Sequence, residues 1–150
     1  MKVEGVIGVP APRQAVFERL SDARFFASCV DGVQDLTEID ATRYSATFAT
    51  KIAYLRFTFK VIVAMTKVSP PNEIEATVEG APLGVVGRLT ATARTELTER
   101  DGATDIRYQI DAVLAGKLGS MGEPVLRAKA KEMEKQFAGR LTAAFAEATP

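Results

Sequence analysis

The stretch Gly116-Lys117-Leu118-Gly119-Ser120-Met121-Gly122 decides the fold, because it joins a series of alternating strands to one long amphipathic helix. The helix is predicted over about 121–147, where apolar side chains recur at spacings of three and four. They are Leu126, Ala130, Met133, Phe137, Leu141, Ala144 and Phe145. A lone apolar stripe of this kind is buried against a neighbouring element. We therefore expect the helix to cover the apolar face of the strands before it.

The start of this helix has two interpretations. Ser120-Met121-Gly122-Glu123 matches a capping box, in which the serine hydroxyl and the glutamate carboxylate satisfy free backbone N–H groups. Pro124 favours a later start, with the proline itself in the first turn. The sequence leaves both open.

Alternation of apolar and polar residues dominates the chain before the helix. It runs through 43–52, 55–65, 73–80, 88–97 and 104–114. Residues 2–9 form an earlier strand, and strands resume after the turn at Asp31-Gly32. A period of two with one polar face is typical of an antiparallel sheet that is solvated on one side.

Two short helices are predicted between the first strand and the others. The first follows Pro12, which suits a first helical turn. The second holds Phe25 and Phe26, with Ser21 or Asp22 as its cap. The prediction is an α+β fold in a single domain over 1–150, with one curved antiparallel sheet of about seven strands wrapped around the C-terminal helix.

Composition excludes several classes of function. The 19 basic and 19 acidic residues balance, so no global field attracts nucleic acid, and no strand presents a basic stripe with stacking aromatics. Histidine, the commonest metal ligand and general base, is absent. Cys29 is alone and is expected to be a buried structural thiol. We predict no nucleic-acid partner, no metal and no cofactor, in a soluble cytoplasmic domain without a signal peptide.

The inward positions of the strands mix two sizes of side chain. The large ones are Phe48, Phe57, Phe59 and Tyr108, and the small ones are Ala46, Ala76, Gly80, Ala91, Ala93 and Ala112. A sheet curling around one helix encloses more volume than such small residues fill, which predicts a cavity. Small residues also let a helix approach a sheet closely, and the alternation does not decide between the two. Polar groups for a ligand in a cavity would be Tyr44, Thr95, Thr104 and Tyr108.

Several of these features together resemble a known family. Tyr44 at a strand start, Phe57 in the next strand, and the 116–122 stretch continuing through Ala130, Gln136-Phe137 and Leu141 are similar to the CoxG component of carbon monoxide dehydrogenase. The CoxG family belongs to the START-like, Bet v 1-like (SRPBCC) helix-grip superfamily. The resemblance runs from the first strand to about Phe145. Members usually carry Pro-Gly where this chain has Asp31-Gly32, and many continue into a membrane-tethering tail.

The resemblance implies a helix-grip fold with a lipophilic cavity, and a link to quinone handling and to membrane recruitment of carbon monoxide dehydrogenase. The leading hypothesis is therefore a non-enzymatic carrier of a quinone-like molecule or lipid, serving that enzyme or a related oxidoreductase. The predicted lining comprises Tyr44, Phe48, Phe57, Phe59, Ala76, Ala91, Ala93, Tyr108, Met133, Phe137 and Leu141. Tyr108 either donates a hydrogen bond to a ligand carbonyl or packs at the rim. No catalytic residue is predicted.

Other hypotheses stay open. One is an assembly or membrane-recruitment module for a molybdenum hydroxylase, acting through its surface. Another is a cyclase-like or hydrolase-like enzyme that uses Tyr44 or Tyr108. The apolar loop 82–87 either contacts a membrane or folds back onto the core, and the basic excess of the last helix either attracts anionic lipid or is merely solvated. A peripheral position at the inner face of the membrane therefore remains an option.

Overall fold

Seven strands and three α-helices follow one another in a computed structural model that describes residues 1–148. In chain order they are β1 (Lys2–Val9), α1 (Arg13–Leu20), α2 (Ala23–Ser28), β2 (Val33–Glu38), β3 (Arg43–Ile52), β4 (Leu55–Ser69), β5 (Glu73–Pro82), β6 (Gly87–Arg100), β7 (Ala103–Gly116) and α3 (Glu123–Ala148). A single 3₁₀ turn, Gly119–Met121, connects β7 to α3. The predicted α+β architecture is confirmed.

The strands form one antiparallel sheet in the order β1-β7-β6-β5-β4-β3-β2. Several strands are longer than the alternation predicted, most of all β4, which continues from Met65 to Ser69. The reason is a register shift between Met65 and Lys67 in the pairing with β5. An extra residue at a bulge changes which parity faces the core, so the apolar alternation stops although the strand does not.

The helix caps settle the alternatives that the sequence left open. Asp22 caps α2, with its carboxylate accepting from the backbone N–H groups of Arg24 and Phe25 at 3.0 and 3.4 Å. Helix α3 begins at Glu123 with Pro124 in its first turn. The capping-box interpretation is wrong, because the Ser120 hydroxyl donates to the Lys117 carbonyl at 2.7 Å instead. Among the described residues, no helix combines the length and apolarity needed to cross a membrane.

The buried core lies in two clusters at opposite ends of the sheet. The helix-end cluster, where α1 and α2 pack, comprises Ile7, Val9, Ala11, Val16, Phe17, Cys29, Ile74, Leu97, Ile106, Leu141 and Phe145. The hairpin-end cluster comprises Ile52, Phe57, Phe59 and Leu118. Two separate clusters, rather than one continuous core, mean that the middle of the sheet is packed differently from its ends.

Candidate functional site

The middle of the inner sheet face carries small side chains in adjacent rows. Ala76 pairs with Ala93 across β5 and β6. In the next row Ala91 pairs with Val78 on one side and with Ala112 on the other. Alanines that face one another across three neighbouring strands leave the centre of the sheet low, between the bulky rows at its two ends.

Helix α3 spans this low region without filling it. Its backbone contacts β1 and β3, near the two sides of the sheet, more extensively than any of the four strands between them. Inward residues under the helix stay partly exposed, although strands flank them on both sides: Val63, Ala76, Val78, Ala93 and Ile110. Water-sized spheres therefore reach the inner face between the two clusters. We call this region the interior space.

The predicted lining residues divide between packed ends and the middle. Leu141 is fully buried in the helix-end cluster, and Phe57 and Phe59 are 6% and 3% exposed in the hairpin-end cluster. Phe48 stacks on Phe59 with ring centroids 6.0 Å apart. Partial exposure remains at Tyr44, Ala76, Ala93, Tyr108, Met133 and Phe137, and Ala91 is 8% exposed beside them. Ligand contact by these residues stays a prediction.

One polar contact connects the inner sheet face to α3. The Tyr108 hydroxyl donates a hydrogen bond to the Glu134 carboxylate, and both side chains are partly buried. Burial raises the pKa of Tyr108 well above its ordinary value, and the adjacent carboxylate adds to the shift. Because a phenol has one proton, a Tyr108 that donates to Glu134 cannot donate to a ligand carbonyl in this conformation.

Glu134 was missed by the sequence analysis, which considered only the carboxylates of the strands. The signal was present in the helical spacing, since Glu134 lies four residues from Ala130 and from Ala138, and seven from Leu141. These separations place it on the face of α3 that packs against the sheet. A glutamate within a stripe of alanine and leucine is easily taken for a surface residue.

The other polar candidates differ in whether a hydroxyl is free. Thr104 is fully buried and donates to the Ala11 carbonyl at 2.7 Å, so it holds the β1–α1 connection and is not available to a ligand. Thr95 and Tyr44 face inward and form no hydrogen bond through their hydroxyls within the described chain. Burial raises the pKa of Tyr44, which keeps its hydroxyl protonated.

Cys29 and the metal-binding chemistry of the chain offer no reactive centre among the described residues. The Cys29 thiol is 3% exposed, and burial raises its pKa, which disfavours the nucleophilic thiolate. No group of three His, Cys, Asp or Glu side chains in the described part of the chain is placed to hold a metal ion.

A separate depression of about 640 Å³ lies on the outer face of the sheet. Polar side chains of four adjacent strands contribute to it, among them Thr47, Lys60, Glu79 and Arg88. It is open, polar and on the opposite side of the sheet from α3. It therefore lacks the apolar walls that are typical of a site for a lipophilic ligand.

An apolar tip projects from the end of the sheet that carries the β3–β4 and β5–β6 turns. We define it as Tyr54, Leu83, Val85 and Val86, which are 83%, 54%, 44% and 86% exposed. The loop therefore does not fold back onto the core. Four exposed cations on the same end of the sheet form no ion pair with any described residue: Lys51, Arg56, Lys60 and Lys117.

The basic excess on α3 is, by contrast, largely neutralised. Arg127 pairs with Glu123 at 2.8 Å, and Arg140 pairs with Asp31 at 3.2 Å. Lys129 lies 3.4 Å from Glu132. Of the two interpretations of this surface, the ion pairs favour a solvated face over a lipid-binding one.

Solved structures share the whole architecture. A conserved protein from Geobacillus kaustophilus is 24% identical, with a TM-score of 0.90 over 98% of this chain and 96% of that chain. A START superfamily protein from Mycobacterium smegmatis is 12% identical, with a TM-score of 0.73 over 99% of both chains. The Zhui aromatase/cyclase from Streptomyces sp. R1128 is 15% identical, with a TM-score of 0.70 over 96% and 92%. At these identities the likeness shows the helix-grip fold of the START-like superfamily and nothing finer.

Sequence comparison identifies the family. No curated protein is significantly similar to this chain. The family model for the CoxG component of carbon monoxide dehydrogenase matches residues 5–145, which include nearly all of the seven strands and most of α3. The match covers the bridging helix, the alanine rows and the Tyr108–Glu134 contact alike. The chain belongs to the carbon monoxide dehydrogenase CoxG family.

Proposed function

We propose that this protein is a non-enzymatic carrier that binds a lipophilic, quinone-like molecule between α3 and the middle of the sheet. The observation that carries the proposal is the partly exposed row of Ala76 and Ala93 beneath a helix that stands off the central strands. Apolar volume that side chains do not fill is costly unless a ligand occupies it. Membership of the CoxG family makes carbon monoxide dehydrogenase, or a related oxidoreductase, the system it serves.

A carrier fits the chemistry of the interior better than an enzyme does. The inner face presents mainly Ala, Val, Ile and aromatic side chains, while the charged groups of β5 and β6, such as Glu75 and Arg94, pair with each other outside at 2.8 Å. Tyr108 and Glu134 satisfy one another. The aromatase/cyclase neighbour shows that this fold also hosts catalysis, so the distinction depends on the site and not on the fold.

The experiment is extraction of purified protein with organic solvent, followed by titration of the emptied protein with a naphthoquinone. We expect saturable binding, and we expect Ala93→Leu to weaken it because the added side chain occupies the interior space. The matched control is Thr92→Leu, which places the same side chain on the outer face of the same strand. Absence of both extractable ligand and saturable binding would reject the carrier function.

A second candidate function uses the surface. The apolar tip and its unpaired cations favour a module that binds an anionic membrane surface and recruits a molybdenum hydroxylase to it. Leu83 and Val86 supply side chains for insertion, and Lys51 and Lys117 supply positive charge beside them. Basic residues near an anionic surface contribute about 1 kcal/mol each, which adds to the burial of apolar area.

Flotation with lipid vesicles tests this second function without reference to the interior. We expect binding to vesicles that contain phosphatidylglycerol, weaker binding to pure phosphatidylcholine, and a loss of about fivefold for each of Lys51→Ala and Lys117→Ala. Val86→Asp should abolish binding. The control Val113→Asp alters another exposed valine, 68% accessible, on the outer face of β7. Equal vesicle binding by Val86→Asp and Val113→Asp would exclude the tip.

A further inference from the structure

The Tyr108–Glu134 pair gives the wall of the interior space an unusual hydrogen-bonding character. Tyr108 spends its one proton on Glu134, and an ionised carboxylate has oxygen lone pairs but no proton to donate. The pair as a whole therefore accepts hydrogen bonds and does not donate them. One oxygen of Glu134 holds the phenol, which leaves acceptor capacity on the other.

The position of the pair matters as much as its chemistry. Tyr108 packs against the helix-end cluster, and the next inward residue of β7 towards the middle is Ile110, which is partly exposed. Its neighbour across β6 is Thr95, which faces the same way and has a hydroxyl without a partner in the described chain. The pair thus lies where the packed end of the core stops and the interior space begins.

We propose that Glu134 is a specificity-determining acceptor, which makes the protein prefer lipophilic ligands that carry a hydroxyl donor, such as a hydroquinone, over their carbonyl counterparts. This inference rests on the proposed carrier function. A ligand hydroxyl donates to the free lone pairs of the carboxylate, and hydrogen bonds to ionised acceptors are about twice as strong as neutral ones. A quinone carbonyl placed there meets only other acceptors, and the low dielectric of the interior strengthens that difference.

A purely structural role for the pair is the competing interpretation. In that case the contact only ties α3 to β7, and removing either partner lowers stability without changing which ligands bind. The two interpretations therefore differ in ligand selectivity and not in stability. This difference makes the ratio of two affinities the decisive measurement.

The experiment measures binding of two ligand pairs that differ only in the donor: naphthol against its methyl ether, and naphthohydroquinone against naphthoquinone with oxygen excluded. We expect the wild-type protein to bind each hydroxyl form on the order of tenfold more tightly, the value of one hydrogen bond to a charged group. Glu134→Gln should bring the ratio close to one, because an amide also donates. Tyr108→Phe should keep the preference, because it leaves the carboxylate in place.

The matched control is Glu132→Gln, which neutralises an exposed carboxylate two residues away on the same helix. It should retain the wild-type ratio. The inference is overturned if wild-type protein binds both members of a pair equally, a result that needs no variant to fold. It is also overturned if Glu134→Gln keeps the preference. Failure of every ligand to bind would instead reject the carrier function itself, together with this refinement of it.

Discussion

Gly5 and Tyr108 face each other across the β1–β7 pair, and a Cβ on Gly5 would lie 2.7 Å from the Tyr108 hydroxyl oxygen. The phenol ring therefore lies over the glycine, where any side chain would be in its way. An aromatic residue that covers a glycine on a neighbouring edge strand is a known means of protecting such a strand. Here the same placement lets Tyr108 reach Glu134 on α3.

Gly5→Ala is expected to destabilise the protein by about 1–2 kcal/mol, the value of the hydrogen bond that Tyr108 would lose on moving aside. Urea denaturation measures this change. Gly8→Ala is the control on the same strand, because its Cβ would meet only the Asp105 carboxylate at an ordinary 3.8 Å. That control should be neutral or slightly stabilising, since alanine restricts the unfolded chain. Equal effects of the two substitutions would contradict the steric argument.

Alkaline pH should weaken the folded state through Tyr108. Its folded pKa is raised above the unfolded value of about 10, so its stabilisation is complete below that pH. Above it the unfolded chain releases the proton while the folded protein retains it, and stability falls as pH rises. The free energy of unfolding of wild type should therefore decline more steeply above pH 10 than that of Tyr108→Phe.

The control for this pH dependence is Tyr54→Phe, which removes a hydroxyl from an exposed tyrosine in the β3–β4 turn. Tyr44→Phe should behave like Tyr108→Phe in direction, because burial also raises the pKa of Tyr44. Parallel stability curves for wild type and Tyr108→Phe above pH 10 would show that Tyr108 ionises equally in both states.

The sequence predicted the sheet and the long helix because their signals are local. The alternation in β3 gave both of its bounds, and the three-and-four spacing of α3 placed its apolar face. It did not predict the continuation of β4 beyond Met65, because a bulge reverses the inward parity there. A pattern with one period cannot follow such a reversal.

The candidate site was less predictable than the fold because its polar contacts join distant parts of the chain. Thr104 was expected to serve a ligand, but its hydroxyl is used by Ala11, 93 residues away. Tyr108 was expected to offer its proton to a carbonyl, but Glu134 takes it. Which hydroxyls are free depends on packing between elements, which residue types alone do not reveal.

Thr104→Val is expected to destabilise the protein by about 1–3 kcal/mol, because it leaves the buried Ala11 carbonyl without its donor. Thr104→Ser keeps the hydroxyl and should lose less. Thr95→Val makes the same change at an inward threonine without a partner in the described chain, and it should be close to neutral. Thermal unfolding of the three variants checks the order, and equal losses for Thr104→Val and Thr95→Val would contradict it.

Enlarging an alanine should cost little over the interior space and much in the packed end. Ala93 is partly exposed in the middle of the inner face, whereas Ala11 is 7% exposed within the helix-end cluster. Adding methyl groups to a close-packed core typically costs about 1–3 kcal/mol, because neighbours are forced from their rotamers. Ala11→Leu should therefore lose about that much, and Ala93→Leu clearly less, when both are measured by urea denaturation. If Ala93→Leu proved as costly as Ala11→Leu, the middle of the sheet would be filled by the protein itself and would have no room for cargo.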